Sequence, residues 1–272
     1  MKKMKQFGIV LGLSLTVLSV VGCQKSNKGS ETTVLLEKDL LEEIQERGKL
    51  LVGTEGTYAP FTYHDDAGEL VGYDVEVGKA IAEEMGLEAE FIETNWDACI
   101  AGLDAKRYDV VMNQVGITSE RIEKYDFSTP YTISRAALIV KSDNEELTTF
   151  EGLNGKKSAN SFTSNFAKMA EGYGAEIIST DGLFSKAIEL VLSGRADATI
   201  NDEVSFYDFM KQKPDAEVKI AATLEEASEN AVLIRKGNDS FTKAINEALA
   251  SLESKGILTE ISEKYFGIDI SK

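Results

Sequence analysis

The apolar residues of the chain alternate between short continuous runs and helical stripes, and this pattern indicates the fold class. Runs such as Leu50–Val52 and Val110–Met112 are typical of buried strands. Other apolar residues recur every four positions, as on one face of a helix, for example Tyr73, Val77, Ile81 and Met85. Strands and helices in alternation predict a parallel, right-handed wound α/β sheet, with loops that gather at the strand ends.

The alternation occurs twice along the chain and predicts two lobes. The first series comprises a helix at 39–47, strands at 50–52, 89–92 and 108–112, and helices at 73–85 and 96–103. The second series comprises strands at 136–140, 176–179 and 197–200, and helices that begin near 161–164 and at 183. A strand at 232–234 and helices at 240–253 and 258–266 follow. Two α/β lobes with a ligand held between them are the expected architecture.

The stretch from Asp109 to Thr132 contains a local candidate for a binding site. A buried strand runs into Asn113, a glycine follows, and a helix begins at Thr118, whose hydroxyl is a favourable N-cap. A strand end of this kind points several backbone N–H groups at one spot, which suits an anion. Arg121 adds a two-pronged guanidinium, the favoured partner of a carboxylate. The alternative is an ordinary strand–turn–helix with a surface arginine.

The first 22 residues have the pattern of an export signal. Residues 2–5 are rich in lysine, and residues 7–21 form an apolar core of signal-peptide length. The end of that core resembles a bacterial lipoprotein signal, which implies cleavage before Cys23 and acylation of its thiol. A plain transmembrane anchor and an uncleaved signal are the alternatives. Residues 23–37 begin with a polar composition that predicts a flexible tether.

Charge and cysteine content argue against several classes of function. The formal net charge of −17 includes three lysines of the predicted signal, so the predicted mature chain carries −17 − 3 = −20. This charge argues against nucleic acid or an anionic membrane as the partner. With Cys23 acylated, Cys99 is the remaining thiol, so no internal disulfide is expected, and its helical pattern predicts burial. His64 has no partners at zinc-ligand spacing, and no cofactor is predicted.

Several polar and aromatic residues fall at the ends of predicted strands, where α/β folds bind their ligands. The segment that follows the first strand, Gly53–Phe61, contains two glycines like a phosphate-binding loop. A nucleotide site is nevertheless weakly supported, because no Gly-Lys-Ser/Thr follows. The shared position of these residues is an independent reason to expect a site. They are Glu55, Tyr58, Trp96, Asn113, Gln114 and Arg121.

A set of motifs resembles, in this combination and order, the extracellular solute-binding proteins of amino-acid ABC transporters. The motifs are GTEGTYAPFTY, GELVGYDVEV, the Trp96-Asp97 pair, LDAKRYDVVMNQVGITSERIEKYDFSTPYT, GRADATINDE and GILTEISEKYFG. The resemblance implies the α/β type II periplasmic-binding-protein fold, in which a two-strand hinge joins two lobes around a ligand cleft. It places lobe 1 at 38–133 and 232–272 and lobe 2 at 134–231, with the hinge near 132–135 and 228–231.

The resemblance also implies how an amino acid is held by its two charged groups. Arg121 binds the α-carboxylate, helped by backbone amides at Gly116 and at the lobe-2 loop Thr163–Ser164. Asp202 of lobe 2 binds the α-ammonium. A zwitterion that leaves water loses the hydration of two charges, so each charge must meet an opposite charge or oriented donors. Relatives often carry a glycine where this chain has Phe162, which leaves open which lobe-2 amide reaches the carboxylate.

The ligand side chain is expected to lie between two aromatic residues, with polar residues at its far end. The implied aromatic pair is Tyr58 and Trp96, and the implied polar contacts are Glu55, Asn113 and Gln114. The runs NQVGIT and KYDFSTPYTIS are most similar to cystine-binding members of the family. Glutamine or another polar amino acid is the alternative within the class.

The resemblance implies a binding protein and not an enzyme. A dehydratase on the same fold would need Glu55 or Glu203 as its acid or base, and no Ser/His, Cys/His or metal constellation supports one. The expected protein is a monomer that is lipid-anchored on the extracytoplasmic face of the cell membrane. Its expected partners are the permease subunits and the ATPase of an ABC importer.

Overall fold

The computed structural model describes residues 39–271, so the predicted signal and tether lie outside the described residues. Within this range no helix is long and apolar enough to cross a bilayer. The strands are β1 (Lys49–Thr54), β2 (Thr57–Tyr58), β3 (Thr62–His64), β4 (Leu70–Val71), β5 (Glu88–Glu93), β6 (Val110–Val111), β7 (Tyr125–Phe127), β8 (Thr132–Ser134), β9 (Ala136–Lys141), β10 (Lys157–Asn160), β11 (Glu176–Ser179), β12 (Thr199–Asp202), β13 (Val218–Thr223), β14 (Ser228–Asn230) and β15 (Leu233–Arg235). The helices are α1 (Leu40–Arg47), α2 (Tyr73–Glu84), α3 (Trp96–Asp104), α4 (Ser119–Lys124), α5 (Asn165–Gly172), α6 (Phe184–Leu192), α7 (Glu203–Gln212), α8 (Asp239–Ser254) and α9 (Ile257–Phe266), with a 3-10 turn at Phe150–Leu153.

Lobe 1 is built on a mixed five-stranded sheet in the order β5-β1-β6-β15-β7. β1 is parallel to β5 and β6, whereas β15 runs antiparallel to β6 and β7. Adjacent residues of β6 enter different apolar clusters, Val110 with residues of α2, α8 and α9, and Val111 with residues of α3. Because neighbouring side chains of a strand point to opposite faces, the helices cover both faces of this sheet.

The helix ends in lobe 1 follow the capping residues of the sequence. The Asp39 carboxylate accepts from the Leu41 amide at 3.3 Å at the start of α1, and Gly48 ends that helix with φ of 72°. The Thr118 hydroxyl accepts from the Arg121 amide at 3.3 Å at the start of α4. The predicted N-cap at Thr118 is therefore confirmed, and Gly48 accounts for the end of the helix predicted at 39–47.

Lobe 2 contains an antiparallel three-stranded sheet, β12-β9-β13, and a parallel pair, β10-β11. An isolated parallel bridge between Ser158 and Ala198 links the two. The central strand β9 is buried on both faces, because Ile139 packs with residues of α6 and α7 while Leu138 packs with residues of α5. This lobe therefore has apolar clusters of its own, separate from those of lobe 1.

Two short antiparallel strands, β8 and β14, connect the lobes, with Thr132 opposite Asn230 and Ser134 opposite Ser228. The chain leaves lobe 1 through β8 and returns through β14. The predicted α/β architecture of two lobes joined by a two-strand hinge is confirmed. The proposed limits of the lobes, 38–133 with 232–272 and 134–231, stay a prediction.

The returning hinge strand also binds the loop that precedes α4. Gly116 forms an antiparallel bridge with Asn230, and the Ile117 amide donates to the Glu229 carbonyl at 2.9 Å. The Tyr131 amide donates to the Asn230 carbonyl at 3.0 Å. Backbone hydrogen bonds thus join the loop that leads to Arg121 directly to the hinge.

The predicted parallel pairing is confirmed for β1, β5 and β6, but β15 of lobe 1 and the β12-β9-β13 sheet of lobe 2 are antiparallel. β15 returns from the hinge and not from a crossover helix, and antiparallel pairing needs no long crossover. The sequence pattern also missed α7 and β13, between Asp202 and the hinge. α7 has a weak apolar stripe, because it buries only Ser205 and Phe206. The small sheet β2-β3-β4 was not predicted either.

Candidate functional site

A cavity lies between the lobes and holds about 510 Å³ of empty space, including the part that is open to solvent. From lobe 1 the cavity is lined by Glu55, Tyr58, Trp96, Asn113 and Gln114. Its polar residues from lobe 2 include Asn160, Ser161, Ser164, Asn165, Thr180 and Asn201.

The structure brings most of the predicted site residues to this cavity, but four of them lie behind its lining. The lining includes the five lobe-1 residues at the strand ends and Ser164 of lobe 2. The four outside the lining are Gly116, Arg121, Thr163 and Asp202. The role of all these residues as ligand contacts stays a prediction.

Glu55 and Asn113 form a buried pair at the ends of β1 and β6. The Asn113 side-chain oxygen accepts from the Glu55 amide at 2.9 Å, and its nitrogen donates to the Glu55 carboxylate at 2.7 Å. Glu55 is only 7% exposed, and this burial raises the pKa of its carboxyl to about 7. Asn113 therefore fixes an acid that titrates near neutral pH at the wall of the cavity.

Gln114 lines the cavity, yet its N–H donors point at Asp74. The Gln114 backbone amide and side-chain nitrogen donate to the two oxygens of Asp74, each at 2.7 Å, and Gln114 adopts a left-handed φ of 51°. The side-chain nitrogen also lies 3.2 Å from the Thr132 hydroxyl of the hinge. Asp74 is fully buried, and burial raises the pKa of its carboxyl to about 7. These bonds hold Gln114 in one orientation between the cavity and the hinge.

Arg121 is a buried guanidinium without a carboxylate partner among residues 39–271. It is 8% exposed, its Nη1 donates to the Gly116 carbonyl at 2.9 Å, and its guanidinium carbon lies 5.4 Å from the Trp96 ring centroid. Burial lowers the pKa of this guanidinium to about 10. A buried charge costs free energy until an opposite charge or oriented dipoles meet it. The arrangement therefore favours an anion next to Trp96.

Asp202 lies at the end of β12 and contacts Tyr58, one of the two lobe-1 aromatic residues that line the cavity. The hydroxyls of Tyr58 and of Ser134 both donate to its carboxylate, and the Tyr58 hydroxyl also lies 2.7 Å from the Asn201 side-chain oxygen. Asp202 is 4% exposed, and burial raises the pKa of its carboxyl. Tyr58 thus connects the two lobes at the side of the cavity near the hinge.

The lobe-2 loop before α5 binds lobe 1 and not only its own helix. The Ser164 hydroxyl accepts from the Ala167 amide at 3.0 Å and caps α5. Thr163 is exposed, and its hydroxyl donates to Asp97 of lobe 1 at 2.6 Å. The predicted carboxylate donor Thr163 therefore faces a carboxylate of the protein in this structure.

The sequence analysis missed most of the lobe-2 lining. Asn160 ends β10, Thr180 follows β11, and Asn201 is the residue before Asp202 at the end of β12. These positions are also ends of strands in the second series, the same signal that identified the lobe-1 residues.

Other chemistry is not assembled in the part of the chain that is described. No group of three or more His, Cys, Asp or Glu side chains among residues 39–271 is arranged to hold a metal ion. Cys99 is buried, and burial raises the pKa of its thiol to about 12. The prediction that Cys99 is buried and unreactive agrees with both observations.

Known proteins are similar to this chain over nearly the whole described range. The family model for bacterial extracellular solute-binding proteins, family 3, matches residues 50–268. The L-cystine-binding protein TcyA of Bacillus subtilis (strain 168) is 40% identical over 270 residues, which cover 99% of this chain and 100% of TcyA. A probable amino-acid ABC transporter-binding protein of Haemophilus influenzae is 44% identical over 234 residues, 86% of this chain and 91% of the relative.

Two solved structures show how the lobes compare. An ancestral arginine-binding protein bound to glutamine is 36% identical, with a TM-score of 0.77 and coverage of 81% of this chain and 99% of that one. The L-cystine solute receptor of Neisseria gonorrhoeae, in an unliganded open conformation, is 43% identical but has a TM-score of 0.58, with coverage of 86% and 100%. The gonococcal receptor is thus the more similar of the two in sequence but the less similar in structure. This agrees with the contacts across the cleft of this chain, because the receptor was solved in an open conformation.

The raised pKa of Glu55 predicts a pH dependence of stability. Between its ordinary pKa of 4.5 and its folded pKa of about 7, the folded state binds more protons than the unfolded state, so stability falls as pH rises through this window. Glu55→Gln removes this contribution. We expect the free energy of unfolding of Glu55→Gln, relative to wild type, to increase by about 2 kcal/mol from pH 5 to pH 8.

Urea titrations of both proteins at the two pH values measure this difference. Asp74 titrates in the same window, but it is present in both proteins and cancels in the comparison. A difference that does not change with pH would mean that Glu55 is ionised in the folded protein at pH 5.

Proposed function

The chain belongs to the bacterial extracellular solute-binding proteins of family 3, and on this basis we propose that it captures L-cystine in the cleft between its lobes and delivers it to an ABC permease. Proteins of this family act outside the cytoplasm and supply amino acids to ABC transporters. The observation that carries the proposal is the buried guanidinium of Arg121, which has no carboxylate partner among the described residues and lies against Trp96 at the cavity.

The charged groups of an amino acid fit the charges that surround the cleft. The ligand α-carboxylate is assigned to Arg121, because a carboxylate is the partner that a guanidinium binds with two parallel hydrogen bonds. The α-ammonium is assigned to Asp202, which reaches the cavity wall through Tyr58. Micromolar affinity requires about −8 kcal/mol, and a few charge-assisted hydrogen bonds of about 1.5–3 kcal/mol each supply it net of the entropy of binding.

The preference for cystine rests on the second head of that molecule. Cystine carries two amino-acid heads, so its far end needs an acid and amides as well. Glu55 with Asn113 supplies an acid and an amide in one hydrogen-bonded pair at the cavity wall. TcyA, which is named an L-cystine-binding protein, aligns with the whole chain. Glutamine or another polar amino acid is the alternative ligand, since one related structure holds glutamine.

The proposal assigns no chemical reaction to the cleft. A dehydratase would need a carboxylate aimed at its substrate, and Glu203, one of the two candidates, accepts from Arg135 at 2.9 Å and does not line the cavity. Glu55, the other candidate, is bound to Asn113. Two relatives that match most of this chain are named a probable amino-acid ABC transporter-binding protein and an L-cystine-binding protein.

We also propose a lipid anchor at Cys23. The signal-like pattern of residues 1–22, followed by the polar start of the tether, supports export, cleavage before Cys23 and acylation of its thiol. One acyl chain binds a membrane only marginally, so a stable anchor needs more than one chain on this residue. The lobes would then work as a lipid-anchored monomer beside the permease and its ATPase.

A panel of amino acids tests the ligand by its effect on the melting temperature. A ligand that binds only the folded state at a hundredfold excess over its dissociation constant stabilises it by about 2.7 kcal/mol, a rise of roughly 5–10 °C for a protein of this size. We expect cystine to give the largest rise, measured by differential scanning fluorimetry.

The control uses the disulfide of the ligand. Dithiothreitol cleaves cystine to cysteine and should abolish the rise, whereas cystathionine, a thioether with two amino-acid heads, should be insensitive to it. The protein itself supplies no internal disulfide among its described residues. A rise with glutamine and none with cystine would contradict the choice of ligand but keep the class.

The carboxylate assignment is tested at Arg121. Arg121→Ala removes the buried positive charge, so we expect the dissociation constant to rise about a hundredfold, the equivalent of two charge-assisted hydrogen bonds. Arg121→Lys keeps the positive charge but not the two parallel N–H donors of the guanidinium, so its dissociation constant should lie between those of wild type and Arg121→Ala. Isothermal titration calorimetry gives the constants. Because the unpaired charge costs stability, the melting temperature without ligand should not fall in Arg121→Ala, and unchanged affinity would refute the assignment.

The anchor is tested by metabolic labelling with an alkyne palmitate analogue and by cell fractionation. We expect the wild type to be labelled and to sediment with membranes, and Cys23→Ser to be unlabelled because it has lost the acceptor thiol. Cys99→Ala removes the only other thiol and serves as the matched control. Label that persists in Cys23→Ser would exclude this site of acylation.

A further inference from the structure

A carboxylate of lobe 1 reaches across the cleft and binds the lobe-2 loop that precedes α5. One oxygen of Asp97 accepts from the Ser161 hydroxyl at 2.6 Å and from the Thr163 hydroxyl at 2.6 Å. The Thr163 backbone amide lies 3.4 Å from the same oxygen. These contacts join residues more than sixty positions apart in the chain, and neither lobe makes them alone.

Both sides of this contact are held in place by their own helices. Asp97 lies in the first turn of α3, where the helix dipole favours a carboxylate, and the Asn95 side chain caps that turn by accepting from Ala98 at 3.0 Å. In lobe 2, the Ser164 hydroxyl donates to the Ser161 carbonyl at 2.8 Å. The loop is therefore a tight turn that holds the Ser161 and Thr163 hydroxyls towards lobe 1.

Asp97 does not belong to the wall of the cavity, although Trp96 and Ser161 on either side of the contact do. One of its carboxylate oxygens accepts from both Ser161 and Thr163 of lobe 2, so we assign these hydrogen bonds to the contact between the lobes. Two other contacts cross the cleft. Tyr58 donates to Asp202 on the hinge side, and Lys168 pairs with Glu120, where both side chains are about half exposed and the ion pair contributes little. Charge-assisted hydrogen bonds to fixed hydroxyls are stronger.

We propose that Asp97 is a positioning residue that holds the cleft closed through Ser161 and Thr163 and so sets how long the ligand stays bound. The proposal rests on the proposed function, capture of an amino acid in this cleft. It also assigns Thr163 a different partner from the one that the family resemblance implies. In the closed form Thr163 holds the protein's own carboxylate, and Arg121 holds the carboxylate of the ligand.

This role has a kinetic signature that a ligand contact would not show. The lobes must open before a ligand enters, and the bond forms again as they close around it. Its loss therefore accelerates dissociation and leaves association nearly unchanged. Because the bond does not touch the ligand, its loss weakens every bound amino acid by the same factor. A residue that contacts one end of the ligand would discriminate between amino acids of different shape or charge.

The test uses Asp97→Ala, Asp97→Asn and the lobe-2 pair Ser161→Ala/Thr163→Val, with rates from the fluorescence of Trp96, the single tryptophan. We expect Asp97→Ala to raise the dissociation rate about tenfold, with association within twofold. Asp97→Asn keeps one acceptor oxygen and should lie between. Controls are Glu83→Ala, an exposed acid of α2 in lobe 1, and Lys168→Ala, both expected within twofold of wild type.

A double-mutant cycle separates the contact from general damage to either lobe. Combining Asp97→Ala with Ser161→Ala/Thr163→Val should be no worse than either alone, because both remove the same bonds. Additive effects, or a loss that differs between amino acids, would overturn the proposal. So would tighter binding in Asp97→Ala, since Asp97 would then compete with the ligand carboxylate for Thr163. If Asp97→Ala does not fold, the lobe-2 pair alone carries the rate measurement.

Failure of the proposed function is recognised separately. If no amino acid raises the melting temperature of the wild type, capture of an amino acid is wrong. The closed state is then measured without ligand by small-angle X-ray scattering. Asp97→Ala should have a larger radius of gyration than wild type and Glu83→Ala, and equal radii would overturn the positioning role.

Discussion

A buried positive charge that has no carboxylate partner within residues 39–271 is the constraint on which the rest of the cleft depends. The Arg121 guanidinium has a backbone carbonyl and the face of Trp96 as neighbours, and burial lowers its pKa to about 10. Such a group destabilises the empty protein, because desolvation is not offset by an ion pair. A carboxylate placed beside Trp96 would offset this cost, which is the reason for assigning the ligand carboxylate to Arg121 in the proposed function.

The acids around the cleft respond to the same low-dielectric environment in the opposite direction. Burial raises the pKa values of Glu55 and Asp74 to about 7, and it also raises that of Asp202. Near neutral pH Glu55 and Asp74 are therefore partly protonated, which reduces the negative charge of the cleft. Hydrogen bonds from Asn113, Gln114 and Tyr58 fix these acids in position, so the cleft can present a carboxylate to an ammonium group without reorganising its walls.

The hinge and the binding charge are parts of one hydrogen-bonded unit. From Arg121 in α4 the chain continues through β7 into the hinge strand β8, and the loop before α4 is bonded to the returning strand β14. Asp74 adds a side-chain link, because it holds Gln114, which also contacts Thr132 of β8. A ligand bound to Arg121 would therefore lie close, along these hydrogen bonds, to the hinge strands about which the lobes close.

The sequence by itself determined every α-helix of the described range except α7, the core strands β1, β5, β6, β9, β11, β12 and β15, and the lobe-1 residues that line the cavity. Apolar periodicity and capping residues such as Thr118 are local properties, and the ends of parallel strands collect side chains wherever that topology occurs. The order and direction of the strands were not local: β15 is antiparallel because the chain returns through a hinge, and α7 shows too weak a stripe to be recognised. The pairing of Thr163 with Asp97, and the withdrawal of Asp202 behind Tyr58, were decided only by the tertiary structure. Those partners lie on opposite lobes, and no spacing along the chain records which groups meet when two lobes close.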